Sequence, residues 1–184
     1  ATIRKSLPDS YIAWMVEERY QDILAGNPDI DEVIPLRTKV WRKNWNSKSL
    51  GEILNTIKTL RRQNFDLVLD LHGLLKSGVI AGLSGASTRV GFHRKNCKEK
   101  INTLFTNRKA PHMTKGLHVV DMTLTLLQTA LGKVEEAKLF PLQVPNEMDE
   151  KVARFFDQNP DLTRRPIIGI NPGAGFESKQ WELV

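Results

Sequence analysis

The order of apolar segments is the feature that most constrains the fold of this chain. Short apolar runs alternate along it with stretches of helical period, in the order strand, helix, strand, helix. The clearest strand is "FDLVLDLHG" at 65–73, a near-continuous apolar run typical of a parallel sheet covered on both faces. This alternation predicts an α/β protein with a Rossmann-like, doubly wound parallel sheet.

The same patterns predict the other elements and three regions. Strands are expected at 11–16, 31–36, 88–92 and 166–170, and helices at 17–28, 49–64, 73–85, 118–132 and 146–159. Ser49 and Glu52 have capping-box spacing, which predicts a helix start at Ser49. The regions are a domain over 1–145, a helix and linker over 146–165, and a terminal strand and loop over 166–184.

Composition narrows the class of partner. The 184 residues carry a net charge of +6, with a pI of about 9.5, so nucleic acid, an anionic membrane surface or a phosphorylated substrate would fit.

Cys97 is the one cysteine, which excludes an intrachain disulfide and suits a reducing compartment. No apolar run reaches the roughly 18 residues of a membrane span. The chain opens without methionine on what resembles the end of a helix, so we expect the natural N-terminus upstream.

A basic stretch follows the second predicted strand. Residues 33–51 contain no acid and five cations, namely Arg37, Lys39, Arg42, Lys43 and Lys48. Trp41 and Trp45 are interleaved with them. As a loop between a strand and a helix, the stretch could bind phosphate or carboxylate groups, or an anionic lipid surface with both tryptophans at the interface. A solvated loop is the plain alternative.

A second basic stretch, "RVGFHRKNCKEK" at 89–100, includes Lys98. No helix-turn-helix, zinc-finger or RNA-recognition signature accompanies it. His72 directly follows the strongest strand, where open α/β sheets bind ligands. These positions favour a small anionic substrate over nucleic acid. No H-E-x-x-H or Cys/His ligand spacing occurs, so we expect no metal.

The glycine loop in "INPGAGFESKQW" raises the possibility of a phosphate site. Its glycines would let backbone N–H groups approach an anion, and Lys179 would add a charge. The loop fails the Walker A pattern at two positions, and Ser178 breaks the dinucleotide fingerprint. Taken alone, it is more typical of a plain strand–loop–helix turn.

Five stretches in register give a more specific indication. They are "VIPLRTKVWRKNW", "FDLVLDLHGLLKSG", "LFTNRK", "HVVDMTLTLL" and "INPGAGFESKQW". Their order resembles glycosyltransferase family 9, the bacterial heptosyltransferases, over essentially the whole chain. The resemblance implies a GT-B architecture of two Rossmann-like domains facing a cleft, the first binding the acceptor and the second the nucleotide sugar. Residues 1–145 would be the acceptor domain without its first strand, and residues 166–184 the first strand and loop of a truncated nucleotide-sugar domain.

The resemblance also implies a reaction. It is the inverting, metal-independent and cofactor-independent transfer of heptose from ADP-heptose to the Kdo of Kdo2–lipid A, in synthesis of the lipopolysaccharide inner core. The enzyme would act as a peripheral protein at the anionic cytoplasmic face of a Gram-negative inner membrane, without nucleic acid. The family's general base, an aspartate, would lie upstream of Ala1. This chain would then hold no catalytic residue and be inactive alone.

Matching positions imply binding residues. On the acceptor side they are Lys39, Arg42, Lys43, His72, Lys98 and His118, and on the nucleotide-sugar side Gly173, Ala174 and Lys179. His72 replaces a glutamine usual in the family. Lys98 replaces an arginine, which keeps the charge and loses the bidentate fork.

Other functions remain open on the sequence alone. One is a family member with a different sugar or acceptor. Another is a non-catalytic basic module that binds an anionic glycolipid or RNA. A dehydrogenase that uses NAD is disfavoured by the failed fingerprint.

Overall fold

The computed structural model of the chain describes residues 1–44, 46–135, 138–164, 166–170 and 173. The chain divides into two compact units, Ala1–Gln143 and Val144–Val184. The elements of the first unit position the candidate site.

The described residues of the first unit contain five strands, which form two ladders. The strands are β1 (Ala13–Glu17), β2 (Glu32–Leu36), β3 (Leu67–Leu69), β4 (Thr88–Gly91) and β5 (Arg108–Lys109). β1 pairs with β2, with Ala13 opposite Glu32, and the second ladder has the order β3-β4-β5. Both ladders are parallel, which confirms the predicted α/β class. With two residues, β5 is too short for a sequence pattern to reveal.

Helices precede, connect and follow these strands. They are α1 (Thr2–Ser6), α2 (Thr38–Lys43), α3 (Ser47–Arg62), α4 (Leu75–Leu83) and α5 (Val119–Leu131), with 3-10 segments at Glu18–Ile23 and Lys100–Leu104. The prediction of an α-helix over 17–28 is wrong, because that region forms a six-residue 3-10 segment. Gly26 follows with φ of +69° and ends any helical continuation.

The basic stretch and the helix after it also differ from the prediction. Residues 38–43 form α2, where a loop was expected. The predicted capping box is wrong, because Asn46 caps α3 by accepting a hydrogen bond from the Ser49 backbone N–H at 2.9 Å. Ser49 instead donates its hydroxyl to the Asn44 carbonyl at 2.6 Å. The N-cap of α3 is therefore three residues earlier than the Ser49 cap that we predicted.

The core lies between the second ladder and α5. Its buried members are Val90, Phe92, Ala110, Met113 and Leu126. Leu126 and Val90 are both 0% exposed. This cluster holds β4 and α5 together, and with them the loops at the carboxyl ends of the strands.

β1 and β3 lie alongside one another in separate ladders. Tyr11, before β1, stacks on Phe65, before β3, with ring centroids 6.4 Å apart. At the carboxyl ends of the two strands, Lys76 Nζ, after β3, lies 2.9 Å from Oε1 of Glu17, the last residue of β1. The two strands therefore run in the same direction. All three residues of β3 are half-buried, whereas a central strand covered on both faces is buried.

The second unit contains α6 (Asn146–Gln158) and a 3-10 segment at Pro160–Arg164. α6 confirms the helix predicted over 146–159. The strand predicted over 166–170 is not formed, and Ile168 there is 84% exposed. A strand needs a paired neighbour, and the described part of this unit contains none.

Candidate functional site

The carboxyl ends of β1, β2 and β3 bring three polar segments together. β1 ends at Glu17, β2 leads into α2, and β3 leads into a loop over 70–74 that carries His72. Because the strands run in the same direction, these segments lie together at the edge formed by the carboxyl ends of the two ladders, where open α/β proteins bind ligands.

Hydrogen bonds to the buried carboxylate of Asp70 hold the loop that carries His72. Asp70 is 4% exposed, and its Oδ1 accepts hydrogen bonds from the backbone N–H of His72 at 3.0 Å and of Gly73 at 3.2 Å. Its Oδ2 accepts from Ser77 Oγ at 3.0 Å. Gly73 has φ of +66°, a left-handed conformation that favours glycine. This short loop is therefore fixed in one conformation.

Asn102 completes this buried network from a segment 32 residues away. It is 0% exposed, and its Nδ2 donates to Asp70 Oδ2 at 2.5 Å and to the Leu74 carbonyl at 2.7 Å. Hydrogen bonds to a buried carboxylate are stronger than those between neutral groups. The network thus ties the loop of His72 to the segment after β4.

The charge of Lys98 acts on His72 in this arrangement. Burial lowers the pKa of His72, and the charges of Lys98 and Lys76 lower it further. Lys98 is placed by its neighbour Glu99, whose backbone N–H donates to the Gly73 carbonyl at 3.0 Å. The charges of Asp70 and Glu17 act on His72 in the opposite direction, so charges of both signs meet at this edge.

We expect His72 to titrate below its ordinary pKa of 6.5, and Lys98→Met to move that pKa upward, because one repelling cation is removed. The measurement is an NMR titration of the imidazole. Because the folded pKa is depressed, the stability gained from neutral His72 is fully present above pH 6.5 and is lost as the pH falls through the folded pKa.

The matched control for this titration is Lys58→Met on α3, since Lys58 is not among the charges that act on His72. Equal shifts in the two variants, or a His72 pKa above 6.5 in the parent protein, would contradict the arrangement described.

The basic helix α2 is joined to this edge through Glu17. Glu17 Oε1 accepts hydrogen bonds from Thr38 Oγ1, at the start of α2, and from Lys76 Nζ. Burial raises the pKa of Glu17, but the hydrogen bonds from Thr38 and Lys76 outweigh it and lower the pKa overall. Glu17 is therefore a carboxylate at neutral pH.

Three of the predicted acceptor residues lie on α2. Lys39 and Lys43 are exposed and one helical turn apart, so they lie on the same side of α2. Arg42 lies in the same helix. Their roles in binding stay predictions.

Trp41 does not take the membrane-interface position that the sequence suggested. It is 9% exposed, and its Nε1 donates to Glu52 Oε2 at 2.8 Å. This contact packs α2 against α3 and uses the single acid of α3. Trp45 lies outside the described residues.

His118 has a local structural role. Its Nδ1 accepts a hydrogen bond from the Val120 backbone N–H at 3.3 Å and caps the start of α5. The described hydrogen bonds do not link it with His72 or Lys98, so its acceptor role stays a prediction.

Of the three residues predicted to bind the nucleotide sugar, the structure describes one. Gly173 is described and exposed. Ala174 and Lys179 lie outside the described residues, and their roles stay predictions.

Four residues of the site were missed by sequence reasoning: Glu17, Asp70, Lys76 and Asn102. Glu17 and Asp70 directly follow apolar strand residues, and that position could have indicated them. Lys76 lies within the quoted segment "DLHGLLKSG" and was passed over there. Nothing in the pattern around Asn102 indicates its partner 32 residues away.

The described residues bear on two further features, a metal centre and a membrane span. No group of three or more His, Cys, Asp or Glu side chains there could hold a metal ion. No helix in the described ranges is long and apolar enough to cross a membrane.

Together, the parallel strands and the polar residues after them define an α/β protein with a candidate ligand site at its strand ends. The sequence profile of "Glycosyltransferase family 9 (heptosyltransferase)" matches residues 53–183. The chain belongs to this family.

Curated relatives support the assignment. Lipopolysaccharide heptosyltransferase 1 of Pseudomonas aeruginosa is 33% identical over 173 residues, which cover 94% of this chain and 43% of the relative. Lipopolysaccharide heptosyltransferase 1 of Escherichia coli K12 is 29% identical over 130 residues, or 70% of this chain and 40% of the relative. The chain thus spans less than half the length of these two relatives.

Solved structures agree on the fold. E. coli heptosyltransferase WaaC with ADP has a TM-score of 0.66 and 27% identity, covering 75% of this chain and 43% of that one. A family 9 glycosyltransferase from Veillonella parvula has a TM-score of 0.78 over 98% of this chain and 49% of that one. At 21% identity, the second match shows the fold alone.

Proposed function

We propose that the chain is the acceptor-binding half of an inverting glycosyltransferase that moves heptose from ADP-heptose to the Kdo of Kdo2–lipid A. One observation carries the proposal: in a family 9 chain, the charges of Lys76 and Lys98 act on His72 in the loop after β3. The acceptor's carboxylates and phosphates are the groups that such lysine charges attract.

Donor binding is assigned to residues 166–184 and the domain that they begin. Glycosyl transfer from a nucleotide sugar leaves negative charge on the departing diphosphate, and a lysine beside it stabilises the transition state. We assign this role to Lys179, with the backbone of Gly173 and Ala174 close to the phosphates. Relatives solved with ADP and with ADP-2-deoxy-2-fluoro heptose support a nucleotide-sugar donor.

The proposed base is an aspartate in a segment before Ala1, which would accept the proton of the attacking hydroxyl. The 184-residue chain should therefore release no ADP alone. The full enzyme would act at the cytoplasmic face of a Gram-negative inner membrane, where the acceptor lipid and anionic headgroups are found. Heptose transfer by the isolated chain would contradict this assignment of the base.

We also propose that the first strand of the domain, from the segment before Ala1, lies between β1 and β3. Support comes from the parallel course of those strands, bridged at both ends by Tyr11–Phe65 and Glu17–Lys76 without a shared ladder. Backbone amides of β1 and β3 should exchange hydrogen more slowly in an upstream-extended chain. Equal exchange in both chains would contradict the insertion.

The test of the reaction uses the protein at its full natural length. We expect ADP release from ADP-heptose that requires Kdo2–lipid A, and Lys179→Ala to reduce kcat by about a hundredfold. The matched control is Lys138→Ala, since Lys138 forms an exposed pair with Asp121 on α5. Equal loss in both variants would contradict the donor role of Lys179.

The alternatives give different results in the same assay. Another sugar or acceptor within the family predicts ADP release with a different substrate pair, and the replacement of arginine by Lys98 motivates that comparison. A non-catalytic module predicts binding of the glycolipid or of RNA without ADP release. RNA binding would weaken steeply with salt, because many phosphates are neutralised at once.

A further inference from the structure

We propose that Glu17 is a positioning residue that fixes the basic helix α2 against the loop carrying His72. The inference rests on the proposed function, because it concerns how the acceptor's anionic groups meet a preformed site. Glu17 contacts no reacting atom in this account and acts through Thr38 and Lys76.

The geometry is a closed triangle of side chains from three elements. Glu17 is the last residue of β1, Thr38 the first of α2, and Lys76 the second of α4. Lys76 Nζ lies 2.9 Å from Glu17 Oε1 and 3.1 Å from Thr38 Oγ1, and Thr38 Oγ1 donates to the same Glu17 oxygen. One carboxylate thus links segments that are 21 and 59 residues away in the chain.

Burial distinguishes this triangle from an ordinary surface ion pair. The Glu17 side chain is 19% exposed, whereas the adjacent Glu18 is 44% exposed and pairs with Arg37, which is 49% exposed. Exposed pairs contribute little to structure because water screens them and their side chains lose entropy. Partial burial and two hydrogen bonds make Glu17 the stronger tether.

α2 depends on such a tether. It has six residues, and Arg37 at its start provides no side-chain cap. A helix this short is not stable without tertiary contacts. Trp41 fixes its middle through Glu52 on α3, while Thr38 fixes its first turn through Glu17. Without Glu17, the first turn of α2, which carries the exposed Lys39, would lose its link to β1.

Lys76 gives the triangle a second effect on the site. It lies in the first turn of α4, directly after the loop held by Asp70, and its charge acts on His72. Glu17 holds this ammonium toward α2 and so keeps the two cationic segments in register. An acceptor with several anionic groups gains affinity from such preorganisation, because less conformational entropy is lost on binding.

The test compares variants of the full-length protein with ADP-heptose and Kdo2–lipid A. Glu17→Ala and Thr38→Val should each raise the acceptor KM about tenfold, with kcat and donor KM unchanged. Thr38→Ser keeps the hydroxyl and should restore the parent KM. The double variant should be no worse than Glu17→Ala, because both changes remove the same contact.

The matched control is Glu18→Ala, which removes the same charge one residue away. An equal rise in acceptor KM for both glutamate variants would overturn the proposal, as would a parallel rise in donor KM or an unchanged acceptor KM. A parent protein with no acceptor-dependent ADP release would instead be a failure of the proposed function.

Hydrogen exchange needs no substrate, so it separates a failure of the positioning role from a failure of the proposed function. Amides of α2 should exchange faster in Glu17→Ala and Thr38→Val than in Thr38→Ser and Glu18→Ala, while the amides of α5 keep their parent rates. Unchanged exchange in α2 would overturn the positioning role whatever the activity.

Discussion

Asp70→Asn should lower the free energy of unfolding by about 3 kcal/mol, because it weakens charge-assisted hydrogen bonds in a buried site. The carboxylate accepts from two backbone N–H groups, from Ser77 and from Asn102. Asparagine offers a single oxygen, and its NH2 group would face another donor. The measurement is urea unfolding of parent and variant under identical conditions.

Asp66→Asn is the matched control for this prediction. It makes the same chemical change four residues away at an exposed position, so the unfolding free energy should stay at the parent value. Equal stability of the Asp70 and Asp66 variants would contradict the role of the buried network. Because that network also holds His72, Asp70→Asn should weaken acceptor binding as well.

Leu126→Ala should lower the free energy of unfolding by about 3 to 4 kcal/mol, because truncation removes buried apolar surface and leaves a cavity. Leu126 is 0% exposed and packs in the cluster with Val90 and Phe92. Urea unfolding measures the loss. Leu104→Ala is the control, since Leu104 is 78% exposed and should tolerate truncation. A loss as large at Leu104 would contradict the placement of the core.

The fold could be predicted where local pattern and tertiary structure agree. β4 and α5 follow from an apolar run and an amphipathic period, both of which are local signals. α2 could not be predicted, because its first turn depends on Glu17, a residue 21 positions earlier. The capping box at Ser49 failed for the same reason, since Trp41 takes the Glu52 carboxylate.

In the candidate site too, the residues indicated by a local pattern could be predicted and those that depend on distant contacts could not. His72 was predicted because it follows the strongest strand, and strand ends bind ligands in this kind of sheet. Lys98 followed from the family resemblance, and the structure places its charge beside His72. Asn102 could not be predicted, because its role depends on a contact with Asp70 across 32 residues. The helix cap formed by His118 was equally hidden in the sequence.

The most direct test of the central claim is mass spectrometry of the acceptor after reaction. Full-length protein would be incubated with ADP-heptose and Kdo2–lipid A, and the lipid extracted. The account predicts an acceptor heavier by one heptosyl residue, with ADP formed in equal amount. An unchanged Kdo2–lipid A in the presence of folded protein would contradict it.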